Sequence, residues 1–543
     1  MNKWWRVVYL SAVIPAAVIG LGLWSPLQQA VAHARAKAPA FRVDPFWPRP
    51  LPNDTETNPA AATDGYRATG PGATKPWVTG EVAGTWVDSR DHVFTVNRGP
   101  QNNLVSPETV IAHPSPTVIE FDRDGNVVNA WPPNLPSAAP PWWMAPMDPV
   151  GYSCRAPGCP HPSRGVPTGV HGIYVDYQDN VWIAGNGDGI VQKYTHDGST
   201  LLLQLGAHLC CDNPCAPNAA CAAAGFPGGG ACGNTASCPA ANKSTVLLNQ
   251  PANMRVDPNP DPVTRQTGSI YVADGYGNHR VVVFDRNGNY LRHWGGVVQA
   301  PTMPNASPHD RGSFGAGDGG HPHCIALGKD GYLYVCDRQS DRILVFERAP
   351  TNCTVDQNGD TICQPVRIIT VIPGTGVTQG RSDGVYKNVL ATAGSAWDLD
   401  FSIDRDQSFF FEVDGGDEIV WTFDRELALS GQPTDTRGFT TCSTPECGPW
   451  PNYILAGFGR PGHMAGDFTF LHSVVLDSRG NLFTGETING RRIQKFVPVA
   501  DLEGVRTRAF RPSGYPDVTL RHYDPRAVGD GRGNDQGRNG DEN

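Results

Sequence analysis

The sequence predicts an all-β protein, a six-bladed β-propeller. Three observations point there: one strand–turn–strand unit recurs six times, each copy alternates apolar and polar residues, and Gly (62) and Pro (49) punctuate the 543 residues. Alternation between turn formers is the signature of half-buried strands and hairpins. In chain order, HVFTV (from His92) leads to TVIEFDRDGN, and VWIAG (from Val181) leads to IVQKYTHDGS. IYVAD (from Ile270) leads to RVVVFDRNGN, and LYVCD (from Leu333) leads to RILVFERAP. FFFEV (from Phe409) leads to IVWTFDREL, and LFTGE (from Leu482) leads to RIQKFVPV. One small antiparallel sheet cannot bury both its faces, whereas six packed radially can.

The copies recur at roughly 60 to 90 residues, against about 40 for a bare blade, so loops hold the surplus. The surplus includes a Pro-rich stretch at 132–167 and a Cys-rich insertion at 208–243. The expected organisation is a signal peptide or signal anchor at 1–34, a Pro-rich extended segment at 35–79 and the propeller at 80–498. A C-terminal extension, 499–543, follows, and from about 526 it lacks the apolar content needed for order.

The net charge is −10 with both signs interspersed, which excludes the basic footprint of a nucleic-acid binder. Lys3 and Arg6 precede an apolar run from Val7 to Trp24, and Ala32-His33-Ala34 offers a small-x-small cleavage site, the layout of an export signal. The run also has the length of a short membrane span, so a membrane association through this anchor is the alternative. Either way the protein is expected to be secreted or periplasmic. The 14 cysteines agree: Cys154/Cys159, Cys353/Cys363, Cys442/Cys447 and six between Cys210 and Cys238 lie close in sequence, as disulfides in an exported chain do. A metal cluster in the Cys-rich segment is disfavoured by irregular spacing without paired C-x2-C knuckles.

Three histidines share one register. His171, His323 and His472 each lie ten residues before the second strand of the second, fourth and sixth copies. The first, third and fifth copies have no equivalent His; in the third, Ala252 holds the place. The strand after each His is the innermost of its blade, so alternate blades direct three imidazoles at the channel axis. Three neutral imidazoles with an open position are the ligand set of a catalytic Zn2+. Loops on the same face carry Arg98, Tyr276 and Arg338. An Arg fork grips a carboxylate, and a Tyr beside a dication can act as a base.

The phrases GVHGIYVDYQDNVWIAG, YVADGYGNHRVVVFDRNGNYLRHWG, HPHCIALGKDGYLYVCDRQSDRI and FLHSVVLDSRGNLFTGE resemble NHL repeats, and more narrowly the peptidyl-α-hydroxyglycine α-amidating lyases. The resemblance spans roughly residues 80 to 498 with insertions. It implies a zinc held by His171, His323 and His472, Tyr276 as base, and substrate-binding Arg98 and Arg338. The implied reaction cleaves the N–Cα bond of a C-terminal α-hydroxyglycine or similar carbinolamide, releasing an amide and glyoxylate. The implied partner is therefore a small molecule or peptide with a terminal carboxylate. The family also places an Asp, tied to a structural calcium, directly after the third His, where this chain has Ser473. Two other functions fit the same pattern: a metal-dependent hydrolase or lactonase using the same pit, and a non-catalytic propeller holding a protein partner on its face.

Overall fold

The computed structural model describes residues 38–52, 76–99, 112–131, 150–153, 166–233, 235, 238–296, 313–314, 321–371, 394–430 and 453–499. The expected signal segment, most of the C-terminal extension and Cys154, Cys159, Cys442 and Cys447 lie outside them. The expected repeat becomes six four-stranded antiparallel sheets. Their first strands are Val82–Val87, Val170–Val175, Asn253–Val256, Pro322–Leu327, Ala396–Phe401 and Leu471–Leu476. Each packs against the first strand of the next blade, so the six together line the central channel.

Turn chemistry sets the register of these hairpins. In blades 1, 2 and 6, where the first strand turns into the second, an Asp side chain accepts backbone N–H bonds from residues two and four further on. Asp176 does so from Gln178 and Asn180, and Asp477 from Arg479 and Asn481. Such Asx turns lock a tight reversal, and a fixed reversal decides which side chains face in. The apolar faces then pack between neighbouring blades. Phe94, Val118 and Trp131 of blade 1, for example, meet Val170, Ile173 and Tyr194 of blade 2.

The sixth blade is completed from the other end of the chain. Ala40–Asp44 pairs antiparallel with Ile493–Val499, with Ala40 opposite Val499 and Asp44 opposite Lys495. Phe41 and Val43 from this strand enter the core between blades 5 and 6, beside Phe411, Phe458 and Phe496. Residues 40–44, expected in an extended segment outside the propeller, are thus part of its sheet.

Five disulfides are present among the described residues. Cys210–Cys221, Cys211–Cys232 and Cys215–Cys238 staple the Cys-rich insertion, and Cys353–Cys363 closes a small hairpin. The fifth, Cys324–Cys336, joins facing residues of the first and second strands of blade 4. Its members, 12 residues apart, sit within strands rather than in a loop, and the strand register brings them face to face. No helix of the described residues is long and apolar enough to cross a membrane.

Candidate metal centre

Each histidine sits at a β-bulge in its inner strand. In blade 4, Pro322 faces Asp337 and Cys324 faces Cys336, leaving His323 as the extra residue. In blade 6, Leu471 faces Glu486 and Ser473 faces Gly485, which leaves His472. Blade 2 has the same irregularity between Val170 and Ile173, around His171. A bulge bends the strand and re-aims one side chain. Here it lets the imidazole point to the axis while its neighbours keep the sheet pattern.

The three rings meet there, with centroids 4.8, 4.7 and 5.0 Å apart, and their candidate ligand atoms lie within 4.8 Å of one another. Two of the rings commit the other nitrogen to the next blade: His171 Nδ1 is 2.9 Å from the Ala252 carbonyl and His323 Nδ1 is 2.6 Å from that of Trp397. An N–H donated to a carbonyl fixes the tautomer and leaves Nε2 as a lone pair facing the axis, the usual support of a metal-binding imidazole. For His472 the corresponding group is Ala83, whose interaction raises the imidazole pKa although Nδ1 falls outside hydrogen-bond geometry. Burial, then the neighbouring imidazoles and Arg98 or Arg338, hold all three pKa values well below the ordinary His range. All three rings are therefore neutral at physiological pH.

Tyr276, Arg338 and Arg98 join the cluster. Tyr276 Oη lies 3.0 Å from His171 Nε2 and 2.9 Å from His323 Nε2, and it accepts a bond of 2.7 Å from Arg338 Nη1. One phenolic proton cannot serve two Nε2 lone pairs. A cation among these atoms would relieve that shortage, so the residues present fit a metal ion. Arg98 donates to the Val170 carbonyl at 2.9 Å and to Glu81 at 2.8 Å, which pairs its charge. The structure thus brings together all six residues singled out in the sequence.

It adds three that were not singled out. Trp397 occupies the bulge of blade 5, with Arg338 stacked 3.7 Å from its ring centre. His321 packs its ring 4.2 Å from that of Tyr276, and Glu81 holds Arg98. Blade 5 has a longer first turn, so counting back from the second strand misses Trp397; counting from the start of the inner strand would have found it.

The cavity at the imidazoles is also lined by Thr85, Asn253, Arg255, Asp398 and Ser473. Arg255 is buried, bonded to Asn253 and to the Met254 carbonyl at 2.7 Å, and stacked 4.1 Å over Trp86. Burial raises Asp398 to about 7 against the opposing pull of Arg255. Calcium takes six to eight oxygen ligands. Ser473 instead pairs its hydroxyl with Thr85 at 3.0 Å, and Arg255 sets a permanent positive charge in the same cavity. This donor set does not fit calcium.

The NHL repeat family model matches residues 259–284, a stretch that contains the Tyr276 loop. Peptidyl-glycine alpha-amidating monooxygenase B of Xenopus laevis is 34% identical over 98 residues, 18% of this chain and 9% of its own length. The corresponding protein of Mus musculus is 29% identical over 126 residues, 23% of this chain and 11% of its own length. The matched stretch is thus about a tenth of each relative. Among solved structures, virginiamycin B lyase from Staphylococcus aureus is similar over 78% of this chain and 96% of its own, with a TM-score of 0.35 and 13% identity.

Proposed function

We propose that this NHL-type six-bladed propeller is an exported zinc-dependent lyase. Its reaction would cleave the N–Cα bond of a C-terminal α-hydroxyglycine, or a similar carbinolamide, to an amide and glyoxylate. The observation that carries the reading is Tyr276 Oη, held within 3.0 Å of two imidazole Nε2 atoms and bonded to Arg338. The limited similarity to peptidylglycine α-amidating enzymes supports it, and the five disulfides support folding in an oxidising compartment.

His171, His323 and His472 would hold the zinc ion, which when bound would supply Lewis acidity toward the substrate's hydroxyl oxygen. Tyr276 then acts as the base at that hydroxyl. With a dication at the imidazoles the phenol would give up its own proton to solvent, and Tyr276 Oη would then take the hydroxyl proton as the C–O bond becomes a carbonyl and the N–Cα electron pair leaves on nitrogen. Tyr276 would return that proton to the nitrogen, so amide and aldehyde form with no oxidant and no added water. Arg338, braced on Trp397, offers its planar fork to the substrate carboxylate. Arg98, neutralised by Glu81, contributes less charge and more shape.

Elemental analysis of the exported domain, paired with glyoxylate release from an α-hydroxyglycyl peptide, tests this. The expected result is about one zinc per chain, lost in His323→Ala, with activity lost in parallel. A metal-free, inactive wild type under zinc-replete conditions would turn the reading toward a binding propeller.

A further inference from the structure

Among the described residues, the Cys-rich insertion meets the loop Asp274–Asn278 that carries Tyr276. Thr235, between the half-cystines Cys232 and Cys238, donates both its backbone N–H (3.0 Å) and its hydroxyl (2.5 Å) to the Gly277 carbonyl. Asn249 accepts the Gly277 and Asn278 N–H groups on its carbonyl and gives its own N–H to Asp274. Its side chain lies against Gly277 and reaches the insertion: Nδ2 donates to the Gly233 carbonyl at 2.8 Å, and Oδ1 accepts the Gly233 N–H at 3.1 Å. Asp212, next to Cys211, takes a bond from Asn278, and buried Arg280 ties Asp274 to the Ser244 and Leu247 carbonyls.

Close packing completes the grip. A Cβ at Gly277 would lie 2.2 Å from the Asn249 side chain, and one at Gly275 would lie 1.9 Å from the carbonyl oxygen of Pro322, the residue before His323. The loop is therefore wedged between the insertion and the strand that bears a candidate ligand. Neither glycine has room for a side chain.

We infer that the disulfide-stapled insertion is a clamp that positions Tyr276, with Thr235 and Asn249 as positioning residues. Its effect on turnover rests on the role proposed above for Tyr276, whereas the clamp itself does not. A phenol that must reach two imidazoles and a substrate hydroxyl at once has little positional tolerance, because a displacement of about 1 Å can cost about 100-fold in rate. In blade 6 the loop at the same place leaves Ile488 exposed, whereas in blade 3 Gly277 and Asn278 are buried. The insertion gives its N–H and C=O groups fixed partners, which three disulfides keep in place.

The test compares zinc-loaded wild type with Thr235→Ala/Asn249→Ala and with Asn249→Asp, which retains the acceptor for Gly233. Amide hydrogen exchange of the segment 274–279 is read beside that of the inner strands of blades 2 and 6, together with zinc content, kcat and KM. In the double variant we expect exchange of 274–279 at least tenfold faster, inner strands and zinc unchanged, and kcat reduced more than KM is raised. Asn249→Asp should restore part of the protection. Unchanged exchange at 274–279, or equal acceleration throughout the propeller, would overturn the clamp. If no variant, wild type included, releases glyoxylate, the catalytic reading fails while the exchange result still decides the clamp.

Discussion

A buried imidazole is costly to leave without a partner, and three whose free nitrogens face each other are costlier still. His171 and His323 commit Nδ1 to carbonyls, so what remains at the axis is a set of lone pairs and one phenolic proton. Tyr276→Phe should therefore leave zinc content unchanged and lower kcat by at least about 100-fold, the contribution of a positioned base. Near-normal kcat would remove Tyr276 from that role. Arg338→Lys loses both the planar fork and the stack on Trp397, and should raise KM about tenfold or more with zinc retained. That the three histidines, Tyr276 and Arg338 share one face was legible because register in a repeat transfers from blade to blade. Glu81 and His321 were not, since side-chain pairing and stacking follow from tertiary approach that no spacing encodes, and Trp397 was hidden by the longer first turn of blade 5.

Strands carry this chemistry through two devices: bulges that turn single side chains inward, and a closing strand that holds the ring. The second and third strands of every blade could be read from alternation and turn residues, because those patterns are local. The pairing of Ala40–Asp44 with Ile493–Val499 could not, as it joins opposite ends of the sequence. The bulges were equally hidden, for one extra residue in a strand leaves no mark on composition. Phe41 is 5% exposed between blades 5 and 6, so Phe41→Ala should destabilise the fold by about 3 to 5 kcal/mol in urea titrations. A loss below about 1 kcal/mol would mean that the closing strand contributes little to the ring.

Over the whole molecule, buried titratable groups pull stability in opposite directions with pH. His293 is held down to about 4, first by burial and then by the charges of Arg280 and Lys243. Between 4 and the ordinary 6.5 the unfolded chain binds the extra proton, so this contribution is present above 6.5 and lost as pH falls toward 4. Glu418 and Asp400, raised by burial to about 7 and about 6, act the other way. Their protonated forms favour the fold, an advantage complete below their unfolded values and lost as pH rises through the folded ones. His293→Gln should therefore flatten the acid side of the stability curve by on the order of 2 kcal/mol between pH 6.5 and 4.5 in denaturant titrations. An unchanged slope would place the proton elsewhere.

Ring closure by residues 40–44 also sets an order of events during synthesis. The sixth sheet pairs residues 40–44 with residues 495–499, made more than 450 residues later, so a chain that stops before 495 cannot complete it. His472 belongs to that last blade, while His171 and His323 come from blades already made. A growing chain can thus offer two imidazoles long before the third, and the full trigonal set arises only when the circle is finished. Tight metal capture would then report a completed fold, and a truncated chain would leave the compartment's ion pool largely untouched.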